Sequence, residues 1–163
     1  MKKLALVFIA LVVSASVAGC TVSQASDRDQ YGNYLSELNS GNTCFGQART
    51  QYDAGIRAFS GDFNYDAISA MGAAAGYYDQ AAQHYSLMES NASSQDQSAY
   101  ASALKSYASN CKYAAQTYME AYRAYDNGDR TKGEGLMNEA AAYVAQANQY
   151  HDRAVKLQTT AIV

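Results

Sequence analysis

The chain has 163 residues, including 15 tyrosines, 4 phenylalanines and neither proline nor tryptophan, and its formal net charge is −3. A chain of this length suits one domain, and an acidic chain without a basic cluster argues against nucleic-acid binding. An alanine-rich composition without proline favours helices, and the alternating Val, Ile and Thr runs typical of strands are absent. We therefore expect an all-α domain that does not bind nucleic acid.

The amino-terminal stretch, 1–19, has the three parts of an export signal. Lys2 and Lys3 precede the apolar run from Leu4 to Val13, and small residues follow it. The run is too short for a membrane span, which needs about 20 apolar residues. We therefore expect 1–19 to be a signal peptide. Its removal leaves 144 of the 163 residues and changes the net charge from −3 to −5, because both lysines leave with it.

A cysteine follows the small residues, in the sequence Val17-Ala18-Gly19-Cys20. This stretch resembles the lipobox of prokaryotic lipoproteins. The resemblance implies that Cys20 receives a diacylglyceryl group on its sulfur and that signal peptidase II cleaves before it. Two or more acyl chains anchor a protein stably. We therefore expect an exported protein at the outer face of the cytoplasmic membrane, or at the outer membrane if the cell has one, with 20–27 as a short tether. A plain secretory signal is the alternative.

Two further cysteines, Cys44 and Cys111, remain once Cys20 is lipidated. An even number of cysteines in an oxidising compartment is typical of a disulfide. A disulfide needs Cα atoms within about 7 Å of each other, so a Cys44–Cys111 bridge predicts contact between the first and third helices. A redox-active pair is the alternative, although the sequence has no Cys-x-x-Cys motif.

An internal repeat relates the two halves of the chain, with an offset of about 67 residues. The pairs that share this offset are Cys44 and Cys111, His84 and His151, and the dipeptides Gly61-Asp62 and Gly128-Asp129. Self-similarity at a fixed offset is typical of duplicated structural units. We therefore predict one helical domain, 28–160, built from repeat units 28–90 and 94–160.

Within each unit, apolar residues step by three and four along two helices, and we call each such row a seam. This spacing is typical of helices that pack nearly parallel in bundles. The predicted seams are Tyr31, Tyr34, Leu38, Gly41, Phe45, Ala48, Tyr52, Gly55 and Phe59; Ile68, Met71, Ala75, Tyr78, Ala82 and Tyr85; Tyr100, Leu104, Tyr107, Cys111, Ala114, Tyr118, Ala121 and Tyr125; and Leu136, Ala140, Tyr143, Ala147, Tyr150, Ala154 and Leu157. Large and small residues alternate, so a ring of one helix can lie over a Gly or Ala of its neighbour. We predict a four-helix bundle of two antiparallel hairpins, with tetratricopeptide-like helical pairs as the alternative.

Polar residues mark the expected helix ends. Ser94–Gln97 and Thr131–Glu134 fit the capping box, in which side chains satisfy free backbone N–H groups at a helix start. Gly61 and Gly128 suit the left-handed residue that closes a helix. The sequence leaves open whether the polar stretch NSGN, 39–42, breaks the first helix.

No catalytic motif is recognisable in the sequence. It lacks the Glu-x-x-His of di-iron bundles, the Cys-x-x-Cys-His of covalent haem and the glycine-rich phosphate loop. We therefore expect no enzyme, no cofactor and no metal.

His84 and His151 are the candidate ligand residues, because two imidazoles from facing helices can hold a metal or haem. In the alternative interpretation both lie at a seam edge and bond water or a hydroxyl. Asn91-Ala92-Ser93 matches the N-glycosylation sequon, and the sequence does not decide whether it is used.

Four tyrosines outside the predicted seams form a possible interaction surface: Tyr65, Tyr77, Tyr113 and Tyr122. Tyrosine is enriched where proteins meet. In the alternative, these rings pack at the flanks of the core with their hydroxyls in water.

We expect a membrane-anchored, non-enzymatic structural or protein-interaction module of the cell envelope, with an envelope protein as partner. The alternative is a carrier of a small ligand, metal or haem between helices near His84 and His151. The sequence does not predict an oligomeric state.

Overall fold

The computed structural model describes residues 25–61 and 64–162, and these residues form helices and short turns without strands. The helices are α1 (Ala25–Ser60), α2 (Asn64–Ser90), α3 (Gln95–Asp126) and α4 (Arg130–Ala161). The predicted all-α class is confirmed. The predicted signal peptide and Cys20 lie outside the described residues.

The helices pack in chain order as two hairpins. α1 packs against α2 and α3 against α4, and contact between α2 and α3 joins the two hairpins. The hydroxyl of Tyr31 on α1 donates a hydrogen bond to the carbonyl of Ile162, the residue that follows α4, with an O···O distance of 3.5 Å. Within the described residues, however, no Cα atom of α1 lies within 8 Å of a Cα atom of α4. The predicted bundle of two hairpins is confirmed, and its α1–α4 side is more open than the other three.

The two hairpins repeat each other in their helix boundaries. The number of residues from the end of α1 at Ser60 to the end of α3 at Asp126 equals the number from the start of α2 at Asn64 to the start of α4 at Arg130. Buried alanines follow this spacing too, as in Ala74 and Ala140 or Ala81 and Ala147. The spacing agrees closely with the repeat expected from the sequence.

Small residues lie at every seventh position of the buried face of α4. The buried residues of this helix are Gly133, Ala140, Ala147, Ala154 and Ala161. Seven-residue spacing keeps one face of a helix against a nearly parallel neighbour. Because these residues have little or no side chain, α3 can come close to the backbone of α4 along its whole length.

The buried face of α2 differs from the predicted seam by one residue at two positions. Ile68 and Ala82 are only partly buried, whereas the neighbouring Ala67 and Ala81 have no exposed surface. α2 lies between α1 and α3, so it buries a wider face than a single seam.

Two glycines allow a tyrosine ring to pack directly on a helix backbone. A Cβ atom at Gly41 would lie 2.5 Å from Cε1 of Tyr85, and a Cβ atom at Gly133 would lie 2.8 Å from Cε2 of Tyr125. Non-bonded carbon atoms are ordinarily about 3.5–4.0 Å apart, so a larger residue would displace either ring. The predicted packing of rings over small residues is confirmed once in each hairpin.

α1 runs unbroken through 39–42. Its one buried glycine in that stretch, Gly41, contacts the ring of Tyr85. The ring packing therefore provides a tertiary stabilisation that offsets the poor helix propensity of glycine and asparagine.

At α3 the predicted Ser94 cap is confirmed, but the reciprocal half of the capping box is not, because the Gln97 side chain accepts from the N–H of Ser93. The capping box predicted at α4 is wrong. The Ser94 hydroxyl accepts a hydrogen bond from the N–H of Gln97 at 3.2 Å, as expected for α3. At α4, the side chain of Asp129 accepts from the N–H of Lys132 at 3.1 Å, and the helix begins before Thr131. Gly128 has a φ of +78° and turns the chain sharply, so the capping carboxylate comes earlier in the chain than predicted.

Candidate functional site

A cleft runs between α1 and α4, and α3 forms its floor; we call it the α1–α4 cleft. The residues that line it include Phe45, Arg49, Tyr52 and Asp53 from α1, Tyr78 from α2, Tyr107, Cys111 and Ala114 from α3, and Val144, Ala147 and Asn148 from α4. The empty space between these atoms is about 440 Å³, part of it open solvent. Clefts between helices are common ligand sites in bundles, so this is the candidate site of the molecule.

Burial keeps the tyrosine hydroxyls of the cleft neutral. It raises the pKa of Tyr52, Tyr78 and Tyr107 well above the ordinary value for tyrosine. The guanidinium of Arg49 opposes this effect on the pKa of Tyr78 and Tyr107 but does not cancel it. The hydroxyls are therefore neutral hydrogen-bonding groups at neutral pH.

The predicted disulfide between Cys44 and Cys111 is wrong. Both thiols are free and are not at disulfide distance. The sulfur of Cys44 lies 3.9 Å from Oε1 of Gln80 on α2, whereas Cys111 lines the α1–α4 cleft. α1 and α3 do contact each other through Phe45 and Tyr107, but the Cys44 side chain lies towards α2 whereas that of Cys111 lies in the cleft, so the two sulfurs do not meet. Burial raises the pKa of the Cys111 thiol, so it is protonated and weakly nucleophilic at neutral pH.

Tyr122 does not belong to a surface, contrary to the prediction. Its side chain has no exposed area, and its ring stacks on Phe59 with a centroid distance of 4.1 Å. Its position follows Ala108 and Ala115 at seven-residue spacing along α3, which places it on the buried face. That spacing is the sequence signal that would have identified Tyr122 as a core residue.

The other three predicted surface tyrosines differ in exposure and lie apart along the helices. Tyr65 is 83% exposed at the start of α2, whereas Tyr77 is partly buried against the core. Tyr113 on α3 is 47% exposed, and its ring centroid lies 5.6 Å from that of Tyr143 on α4. We call these two rings the Tyr113–Tyr143 surface. Of the predicted set, Tyr113 is therefore the residue that lies in an exposed aromatic pair.

Charged groups flank the Tyr113–Tyr143 surface. Nζ of Lys112 lies 5.7 Å from the centroid of the Tyr113 ring and 2.8 Å from Oδ1 of Asp79 on α2. The ion pair holds the ammonium near the ring, where a cation interacts favourably with the π-electrons. The surface thus combines an apolar body with polar groups at its edge.

The two candidate ligand histidines have different partners. Nδ1 of His84 on α2 lies 2.7 Å from Oε2 of Glu37 on α1. The ring centroid of His151 on α4 lies 5.1 Å from that of Tyr107 on α3. Among the described residues, no group of three or more His, Cys, Asp or Glu side chains is placed to hold a metal ion. The partner of His84 is therefore a carboxylate, and not the water or hydroxyl of the simpler interpretation.

Comparisons of the chain with protein-family models, curated proteins and solved structures gave no match. In the part of the chain that the structure describes, none of the helices is both long and apolar enough to cross a membrane. The function must therefore be inferred from the sequence and from the geometry of the bundle.

Proposed function

We propose that this protein is a membrane-anchored, non-enzymatic protein-interaction module of the cell envelope. The signal-like stretch 1–19 and the lipobox-like stretch that ends at Cys20 support the anchor. The lipid would attach the protein to the outer face of the cytoplasmic membrane, or to the outer membrane if the cell has one. Since α1 begins at Ala25, few residues separate Cys20 from the bundle, and a partner must approach the membrane surface.

The observation that carries the interaction function is the Tyr113–Tyr143 surface. Tyrosine has a large rigid ring and a hydroxyl, and it is enriched in protein interfaces. A ring that is 47% exposed can bury further apolar area when a partner covers it. Lys112 and Asp79 at its edge supply the polar rim that such interfaces have.

The anchor is tested by Cys20→Ala. The unchanged protein is expected to incorporate radiolabelled palmitate and to fractionate with membranes, because acylation requires the thiol. The variant is expected to accumulate as an unlabelled precursor with its signal uncleaved. Cys44→Ala is the matched control and keeps both label and processing. Normal processing of Cys20→Ala would show that the signal is an ordinary secretory one.

The interaction is tested with a photo-crosslinking amino acid at position 113 in intact cells. The control site is Gln47, which is exposed on α1 and is the counterpart of Tyr113 in the first hairpin, by the spacing that relates Ala74 to Ala140. We expect a discrete crosslink to one envelope protein from position 113 and none from position 47. Tyr143→Ala is expected to weaken it. Equal products from both positions, or none from position 113, would refute the proposal.

The second candidate function is a small-ligand carrier. The α1–α4 cleft favours it, because polar and aromatic side chains converge there. The location of this ligand site differs, however, from the one expected from the sequence, which lay near both His84 and His151. His84 pairs with Glu37, whereas His151 lies against Tyr107, which lines the cleft.

A further inference from the structure

The Tyr113–Tyr143 surface holds two phenol rings from different helices next to each other. Their ring centroids lie 5.6 Å apart, and the angle between the ring planes is 39°. Tyr113 is 47% exposed, and Tyr143 is partly buried, so both rings have surface in contact with solvent. A dissolved oxidant can therefore reach two phenols that the fold has already brought together.

The other tyrosine pairs among the described residues lack an exposed ring. Tyr34 stacks on Tyr31 at 6.3 Å and Tyr122 lies 6.1 Å from Tyr118, but Tyr34 and Tyr122 have no exposed surface. Tyr52 and Tyr118 are both partly buried, and their rings meet edge to face at an angle of 73°. The pair described above is therefore the one that a dissolved oxidant reaches most readily.

Phenols that lie side by side couple when each loses one electron. Loss of an electron and of the hydroxyl proton leaves a neutral tyrosyl radical. Two such radicals join through the ring carbons next to the hydroxyl-bearing carbons. A carbon–carbon bond forms, and the hydrogen on each of these carbons moves to the oxygen of its own ring, which restores both hydroxyls. In total the pair loses two electrons and two protons to the oxidant.

The fold favours coupling within one molecule. Holding two reacting groups together converts an encounter between molecules into an intramolecular step, which is faster. The rings must approach more closely than 5.6 Å to form the bond. Exposed side chains change rotamer within nanoseconds, so the nearly half-exposed ring of Tyr113 has the freedom to make this approach.

We propose that Tyr113 and Tyr143 form an intramolecular dityrosine crosslink when the protein meets a one-electron oxidant. A peroxidase with hydrogen peroxide is an oxidant of this class, since peroxide takes up both electrons and both protons and becomes water. Among the described helices, α4 packs closely on α3 alone, so the new bond fixes this edge helix to the bundle. The site goes beyond the proposed interaction function, and coupling in the free protein does not depend on whether a partner binds these rings.

The test is photo-oxidation of the purified protein in dilute solution. Tris(bipyridine)ruthenium(II) is the sensitiser, and persulfate takes up the two electrons and becomes sulfate. Dityrosine is measured by its fluorescence in the monomer band of a denaturing gel and by mass spectrometry of tryptic peptides. We expect the peptide that contains Tyr113 to be joined to the one that contains Tyr143, with the loss of two hydrogen atoms.

Phenylalanine variants identify the two rings that react. Tyr113→Phe and Tyr143→Phe are each expected to reduce the monomer fluorescence roughly ten-fold or more, because the remaining phenol has lost the partner held beside it. Tyr65→Phe is the matched control, since Tyr65 is 83% exposed but lies at the start of α2. It is expected to leave the monomer fluorescence unchanged. Circular dichroism of each variant checks that the helices form.

Oxidation of the unchanged protein in urea separates the effect of the fold from the general reactivity of tyrosine. In the unfolded chain, the peptides of Tyr113 and Tyr143 are expected to lose their preference for each other. Dityrosine in crosslinked dimers only, an undiminished monomer signal from Tyr143→Phe, or consumption of tyrosine without dityrosine in the monomer would overturn the proposal. The same peptide pair at the same yield in urea would also overturn it.

Discussion

Among the described residues, the hydroxyl of Tyr122 is the buried side-chain polar group without a hydrogen-bond partner. Leaving such a group unpaired costs roughly 1–3 kcal/mol. Tyr122→Phe removes the group and keeps the ring stacked on Phe59, so we expect the free energy of unfolding to rise by about 1 kcal/mol. Urea unfolding monitored by circular dichroism measures the change.

Tyr34→Phe is the matched control for this prediction. Tyr34 is equally buried, but its hydroxyl donates to the carbonyl of Gln97 at 3.2 Å. Its removal is expected to lower the free energy of unfolding by about 1 kcal/mol. If Tyr122→Phe were as destabilising as Tyr34→Phe, the Tyr122 hydroxyl would have a partner, such as an internal water.

At the scale of the helices, glycine decides how closely α1 approaches α2. Gly41→Ala would push a methyl group into the buried ring of Tyr85, which is further held by a 2.8 Å hydrogen bond from its hydroxyl to Asn42. We expect the free energy of unfolding to fall by about 1–3 kcal/mol, the usual cost of overpacking. Thermal and urea unfolding measure this loss.

Gly46→Ala tests the same substitution without the contact. Nothing lies within 4 Å of a Cβ atom at Gly46, and alanine is favoured over glycine inside a helix by about 1 kcal/mol. This variant is therefore expected to be more stable than the unchanged protein. Equal effects of the two substitutions would mean that α1 and α2 are not held together by ring-on-glycine packing at Gly41.

The elements that the sequence predicted well are those fixed by local spacing. Three-four periodicity identified all four helices, and the Ser94 cap followed from a local pattern. The failures depend on which helices become neighbours. The sequence placed Cys44 and Cys111 at equivalent heights, but it did not show that the Cys44 side chain would lie towards α2 whereas that of Cys111 lines the cleft. The sequence also did not predict the α1–α4 cleft, because the spacing of apolar residues along each helix does not show which helices remain apart.

At the scale of the whole molecule, the buried tyrosines make stability depend on alkaline pH. Burial raises the pKa of Tyr100 to about 12 and raises those of Tyr34, Tyr78 and Tyr85. In an unfolded chain, tyrosine ionises near pH 10, its ordinary pKa being about 10. Above that pH the unfolded state binds fewer protons than the folded state, so stability falls as pH rises.

We therefore expect full stability below about pH 10 and progressive loss as the pH rises towards 12. The part of the ultraviolet phenolate absorbance that comes from the buried tyrosines is expected to appear together with the loss of the helical circular dichroism signal. Ionisation of most tyrosines near pH 10 with the helices intact would contradict this expectation, because it would mean that the rings are accessible to water in the folded state.

The central structural claim is that each hairpin is held closed by a tyrosine ring lying on a glycine of the facing helix. Nuclear Overhauser spectroscopy of the folded protein tests it most directly. We predict strong effects from the Tyr85 ring to the α-protons of Gly41, and from the Tyr125 ring to those of Gly133. If these rings instead gave effects only to glycines outside the contacts, such as Gly46 and Gly135, or to none, the packing described for both hairpins would be wrong.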